Sequence, residues 1–405
     1  MSETIDIYKG KFLNEVYQHF IHSTDYNGLP QSSITSCSKE ISMQFLLELI
    51  EGDKICILSQ KIDPNPYIIR FGFPPKEKQI QYLQKHTQNE DLVLYPSPSY
   101  LKKNRDVSME LLRPFNRMMA LGYPQLKACY FEYSILYHYA FDPRMNFKFN
   151  NYQGEIHSVL NIDERQSINL KTFGIGRDGD DIVIVAFPRY LQNMSEMNQS
   201  IWYNHMVHDP SNCKVLKNYI DNEFQMCWSF PDTVYCAILK EIINLKELTS
   251  EAFQKSIFLK TFKKDELEGF DILPFPTLEK YNHFLLLMEK VVTSNIDIHF
   301  FKEFMSITKD GKTRGSLECL KEWVSHINNE YCDKILIPLK CLRKERQDPA
   351  HKIQRNKYSN GYLLKQHSLC TSIYNSLNLL RRLIQTHPKL RKFEISYPQI
   401  KYIEI

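Results

Sequence analysis

Apolar positions in the first 125 residues come in short bursts rather than long periodic stretches. Ile55-Cys56-Ile57-Leu58, Tyr67 to Phe71 and Leu92 to Tyr95 have strand-like content, whereas Val107 to Leu121 follows a helical spacing and stops at Gly122 and Pro124. Such alternation predicts an α/β or α+β layer over residues 1–125. Beyond it the chain becomes aromatic and β-rich, at Tyr130 to Leu136, Phe147 to Phe149 and Ile168 to Phe173. Phe173 to Phe187 reads as a hairpin: Arg177-Asp178-Gly179-Asp180-Asp181 supplies the turn and Ile182 to Val185 the returning strand. Residues 190–275 read as mostly helical, and Phe270 to Pro276, with two prolines, is the preferred domain boundary.

After Pro276 the pattern is helical almost throughout. Leu278 to Val292 is amphipathic, Phe300 to Met305 is a short apolar piece, and Leu317 to Ile327 follows a turn at Lys309 to Lys312. A further helix is expected to begin with Pro338 in its first position, where the missing N–H would be unpaired anyway. The last long helix, Tyr362 to Thr386, places Leu369, Ile373, Leu377, Leu380 and Ile384 on one face. The expected fold class is therefore α+β. A mixed α/β region spans 1–125, a β-rich then helical region spans 126–275 and is left open as a continuation of the first, a four- to five-helix bundle spans 277–392, and 393–405 is a tail.

Composition narrows the setting. At 405 residues and 43% hydrophobic content the chain can bury a core for two or three domains. The N-terminus lacks a signal-peptide pattern and no stretch approaches eighteen uncharged apolar residues, so no membrane association and a cytoplasmic location are expected. The ten cysteines include no CxxC pair, which argues for buried thiols over a zinc site or a disulfide framework. The total charge of +4 hides an asymmetry: residues 333–392 hold fourteen Lys or Arg against three Asp or Glu, so the remainder is net acidic. A short basic segment on an acidic body is the footprint of a polyanion partner, because phosphates neutralised by cations release condensed counterions.

Candidate chemistry in the first 275 residues is thin. The acidic turn at Asp178 to Asp181 is ordinary turn chemistry rather than a metal site. His205-Met206-Val207-His208 would put two imidazoles on one helix face, yet no third ligand of matching spacing is near, so surface or partly buried histidines are expected. No phosphate loop or nucleophile elbow occurs, and neither cofactor nor metal is expected.

The informative segment is Leu342-Arg343-Lys344-Glu345-Arg346-Gln347-Asp348-Pro349-Ala350-His351. An arginine followed by a polar residue, with a histidine five positions on, between late helices of a small bundle, resembles the signature of HEPN domains. These four- or five-helix modules occur in bacterial toxins, abortive-infection proteins, CRISPR-associated nucleases and anticodon nucleases. The resemblance covers roughly 277–392. Arg382 and His387 share the same spacing, but Leu383 follows that arginine and Pro388 follows that histidine, so the Arg346 match is preferred.

On one unbroken helix, side chains five apart point about 140° away from each other. Asp348-Pro349 has the look of a helix start, aspartate as N-cap and proline first, so a bend there is expected to turn Arg346 and His351 toward one cleft. Leu339, Leu342 and Arg346 share a stripe, read as an apolar contact surface beside the arginine.

The resemblance implies a homodimer with a composite site, and metal-independent RNA cleavage to a cyclic phosphate. Histidine would move the proton of the 2′-hydroxyl, and arginine would hold the charged phosphorane. Gln347, Lys340, Arg343, Lys344, Lys352 and Arg355 would grip the RNA. The first 275 residues would sense a trigger or bind an inhibitor, and an anti-phage abortive-infection role follows by analogy. The competing expectation is a non-catalytic bundle that binds RNA or dimerises.

Overall fold

The apolar runs at 55–58 and 92–95 lack any polar alternation, and a computed structural model gives the reason. It describes the chain except residues 1, 36–42, 86–90, 151–152, 160–161, 180, 225–232, 268, 351–354, 399 and 401–405. Helix α1 (Ser2–His22), strand β1 (Leu29–Pro30), helix α2 (Met43–Glu51), strand β2 (Ile55–Leu58), helix α3 (Lys76–Gln84) and strand β3 (Val93–Pro96) open the fold. The strands pair antiparallel in the order β1-β3-β2. Ile55, Ile57 and Leu94 pack against Phe12, Val16, Leu46 and Leu49. Cys56, Leu58, Val93 and Tyr95 pack on the opposite side against Phe20, Ile69 and Leu101. Burial on both faces removes the alternation that a half-exposed strand would show.

Tyr67 to Phe71 is not a strand. Its carbonyls are taken one by one from loops: Gly28 N–H donates to Tyr67, Gln125 to Ile69 and Leu126 to Arg70, at 3.1, 2.7 and 2.7 Å. Ile68 and Ile69 are buried without a ladder. Helix α4 (Pro98–Asn104) follows β3, and the single helix expected over 107–121 is split into a 3-10 turn at Ser108–Glu110 and helix α5 (Pro114–Ala120). Pro114 restarts the helix because its ring biases the preceding residue away from helical angles.

A second sheet contains β4 (Cys129–Glu132), β5 (Met145–Asn150), β6 (Gln153–Ser158), β7 (Asn169–Asp178) and β8 (Asp181–Ala186), in the order β4-β8-β7-β6-β5. The expected hairpin is present: Asp178 pairs with Asp181, and Gly179 turns the chain at φ +59°. Tyr130 to Leu136 is strand only as far as Glu132 and then coils as a 3-10 helix, Tyr133–His138. Helices α6 (Pro188–Leu191) and α7 (Glu196–Asn204) follow, and β9 (Cys213–Val215) pairs with β7. Because α7 ends at Asn204, His205 and His208 do not share a helix, contrary to the reading from their spacing.

The described chain separates into two units, Met1–Phe147 with Gly154–Val215, and Lys148–Gln153 with Leu216–Ile405. The division falls at 215/216, inside the 126–275 region that the sequence left open as a continuation of the first. The prolines at 274 and 276 lie in an irregular stretch inside the second unit, and Gln366 clamps that stretch: its Oε1 accepts from Leu273 N–H at 3.0 Å and its Nε2 donates to the Asp271 carbonyl at 2.7 Å.

The second unit is a helical bundle of α8 (Lys217–Phe224), α9 (Val234–Phe253), α10 (Leu278–Val291), α11 (Ser316–Ile327), α12 (Asn329–Ala350) and α13 (Gly361–Ile384). A two-residue-per-strand hairpin, β10 (Thr308–Lys309) and β11 (Lys312–Thr313), precedes α11. All five residues of the predicted face of α13 are buried. Pro338 does not start a helix; it lies inside α12, which begins nine residues earlier at Asn329. One turn before it, the Ile335 carbonyl accepts the buried Ser376 hydroxyl of α13 at 2.7 Å. Residues 393–397 are no free tail, since the Ser396 carbonyl accepts from Asn244 and the Tyr397 ring lies 4.9 Å under the Arg381 guanidinium.

Five of the eight described cysteines are buried and none forms a disulfide. Among the described residues no helix is long and apolar enough to cross a membrane.

Helices α9 and α13 are joined by a buried ion pair. Arg381 Nε lies 2.6 Å from Glu241 Oε2 with 4% and 0% of the two side chains exposed, and Asn378 donates to the other carboxylate oxygen at 2.9 Å. Arg381→Met should lower the unfolding free energy by about 3–5 kcal/mol, because it strands a desolvated carboxylate, whereas the Glu241→Gln/Arg381→Met double variant should recover most of that loss. Urea unfolding of the three proteins tests this; a single variant as stable as the parent contradicts it.

Candidate nucleic-acid interface

The basic segment maps onto the end of α12. Leu339 and Leu342 are buried, and Arg346, one turn further along the same stripe, is exposed. The stripe is thus the bundle's own core, not the contact surface for a second copy that its spacing suggested. Arg346 stands where the helix outruns that core, its side chain making no hydrogen bond or ion pair to any other described residue.

The other expected contacts separate into distinct groups. Lys340, Lys344 and Gln347 are exposed at spacings of four and three, so they form one solvent-facing stripe, and Arg346 projects about 100° round from Gln347. Arg355 is exposed beyond the helix. His351 and Lys352 lie outside the described residues, and with His351 the geometry of the Arg346–His351 pair. Arg343 is occupied elsewhere: its Nη2 donates to the Thr293 carbonyl at 3.2 Å and to Ser316 Oγ at 2.9 Å, pinning α12 to the end of α10 and the start of α11. Burial pulls its pKa below the ordinary arginine value, an effect that Glu289 opposes. Arg343, expected as an RNA contact, is thus half-buried, with Nη2 committed to helix packing.

Asp348 and Pro349 do not open a new helix, since α12 runs through both residues to Ala350.

Beside this basic end, a groove of about 850 Å³ lies between α10, α12 and α13, with Tyr281, Ile337, Cys341, Glu345, Tyr362 and Lys365 on its walls. Tyr281 and Tyr362 stack with centroids 5.3 Å apart. The Tyr281 hydroxyl donates to Glu345 at 2.7 Å; burial first, and then that carboxylate, pushes the phenol's pKa up. Burial and Glu345 likewise raise the Cys341 thiol, so it stays protonated at neutral pH and is no activated nucleophile. Nothing in the sequence pattern marked this groove, because its residues come from three helices.

The second arginine–histidine match is structural at its histidine. His387 accepts from Lys389 N–H at 3.4 Å as the cap of a 3-10 turn, and its ring packs 5.0 Å from Phe253. Comparison with protein-family models, curated proteins and solved structures finds no match to this chain.

The two kinds of cation should behave differently. Lys344→Ala should reduce the slope of log affinity for single-stranded RNA against log salt by about 0.7, the value of one phosphate contact. Arg343→Ala should leave that slope intact and lower stability by about 1–3 kcal/mol. Binding titrations across a salt series and thermal melts separate the two, and exchanged phenotypes would refute the division.

Proposed function

We propose that the second unit is a HEPN-like endoribonuclease bundle that cuts RNA without metal, through Arg346 and His351, as a dimer. The observation that carries this reading is the contrast among arginines of the basic segment. Arg343 and Arg381 are consumed by packing, whereas Arg346, within the motif, is solvent-exposed and has no partner among the described residues. A planar cation left open at the end of a long helix suits a phosphate ligand.

The chemistry needs little more. RNA supplies the 2′-oxygen as nucleophile. His351 takes its proton, the oxygen attacks the neighbouring phosphorus, and the bond to the 5′-oxygen breaks. The products are a 2′,3′-cyclic phosphate and a 5′-hydroxyl, with the proton passing to the leaving oxygen. Arg346 stabilises the charge on the phosphorane, while Lys340, Lys344, Gln347 and Arg355, with Lys352, hold the strand. The first unit is assigned a sensing or restraining role, and toxicity in abortive defence is the setting that the resemblance offers.

Because side chains five positions apart diverge by about 140° on a helix, the site is built in this reading between copies, the arginine of one chain meeting the histidine of the other. A non-catalytic RNA-binding bundle is the second reading, and the continuation of α12 as helix through Pro349 is what favours it.

Cleavage of a labelled RNA in excess chelator should disappear in Arg346→Ala and in His351→Ala. Mixing the two inactive variants should restore roughly a quarter of the activity, since half the dimers would carry one intact shared site. No restoration with both parents inactive rejects the shared arrangement; undiminished single variants reject the nuclease; wild-type binding without cleavage establishes the second reading.

A further inference from the structure

Two histidines that are 67 positions apart in sequence meet on the first unit: His138 Nε2 lies 3.2 Å from His205 Nε2. Their ring centroids are 5.3 Å apart and the planes cross at 71°. Backbone fixes both. His138 ends the 3-10 helix that continues β4, and the Glu132 N–H donates to the His205 carbonyl at 2.9 Å. The adjoining Tyr139 and Trp202 are buried and joined, with the indole N–H donating to the phenol oxygen at 3.1 Å and that hydroxyl donating to Asn198 Oδ1 at 2.8 Å.

A tetrahedral ion with metal–nitrogen arms of about 2.0–2.1 Å holds two imidazole nitrogens roughly 3.3 Å apart. The observed pair stands at that spacing. The other nitrogen of His205 completes the pattern: Nδ1 lies 3.4 Å from Glu132 Oε2 and 3.2 Å from Ser134 Oγ. A carboxylate there keeps the proton on Nδ1, so the Nε2 lone pair faces outward, which is how supporting carboxylates orient metal-bound histidines.

We propose that His138 and His205 form a two-imidazole site for a divalent transition-metal ion, with Glu132 as the supporting carboxylate and the remaining positions left to water. Among the described residues no group of three or more His, Cys, Asp or Glu is placed to share an ion, so the protein supplies two ligands. Imidazole donors and the general order of divalent affinities make Cu²⁺ the tightest occupant and Zn²⁺ weaker.

The test is titration of the full chain with Cu²⁺ or Zn²⁺ alone, against a competing chelator, with electron paramagnetic resonance of the copper form. The expected result is one equivalent per chain with two-nitrogen hyperfine structure. His138→Asn and His205→Asn should each eliminate this signal with the melting temperature unchanged, and Glu132→Gln should weaken binding about 10–100-fold while keeping both nitrogens. His208→Asn should change nothing. The absence of stoichiometric binding to the parent chain, or a signal that survives in the His138→Asn/His205→Asn double variant, overturns the proposal.

Discussion

The second unit is organised by one buried contact, the Glu241–Arg381 pair between α9 and α13. Two ions removed from water have lost their hydration, and they are tolerable there only because each satisfies the other and Asn378 and Gln385 take up the remaining valences. Once α13 is fixed in that way, its other polar residues become fixed points. Ser376 reaches the α12 backbone at Ile335, and Gln366 holds the proline-containing segment at Asp271 and Leu273. The direction of α12, and so the place where Arg346 leaves the bundle, depends on a helix far from it in sequence.

That dependence explains why net charge was an incomplete guide. The sequence shows fourteen cations between 333 and 392 and treats them alike. Folding divides them by depth: Arg381 is nearly sealed, Arg343 is half-buried and committed to Thr293 and Ser316, and Lys340, Lys344 and Arg346 face solvent. Exposed cations retain hydration and rotamer freedom until a polyanion arrives, whereas the buried ones have already exchanged water for protein oxygen.

Where periodicity met a simple environment, it was a reliable guide. The face of α13, the β7–β8 hairpin with Gly179 at its turn, and α11 were legible because one-sided burial or a positive φ imposes a pattern on neighbouring residues. Proline was the misleading letter. Pro338 and Pro349 each permit a helix start, yet both lie within α12, where a lost N–H is tolerated when neighbouring contacts hold the helix together. Tyr67 to Phe71 failed for a related reason, since its apolar side chains are buried but its carbonyls are shared among loops. The His138–His205 pair was invisible for a different cause: local spacing offered His208 as the partner, and only the coiling of β4 into a 3-10 helix brings His138 there.

The helical course of α12 also constrains the proposed chemistry. From Arg346 to Ala350 the axis advances about 6 Å, and a helix gathers side chains at one point only when they are three or four positions apart. A spacing of five sends successive groups to different sides. An enzyme that kept both reacting groups on one helix end would therefore need a break after the arginine, and the backbone from Arg346 to Ala350 has none. Two copies related by a two-fold axis remove that conflict, because divergence within a chain becomes convergence between chains: what faces away from one arginine can face the other.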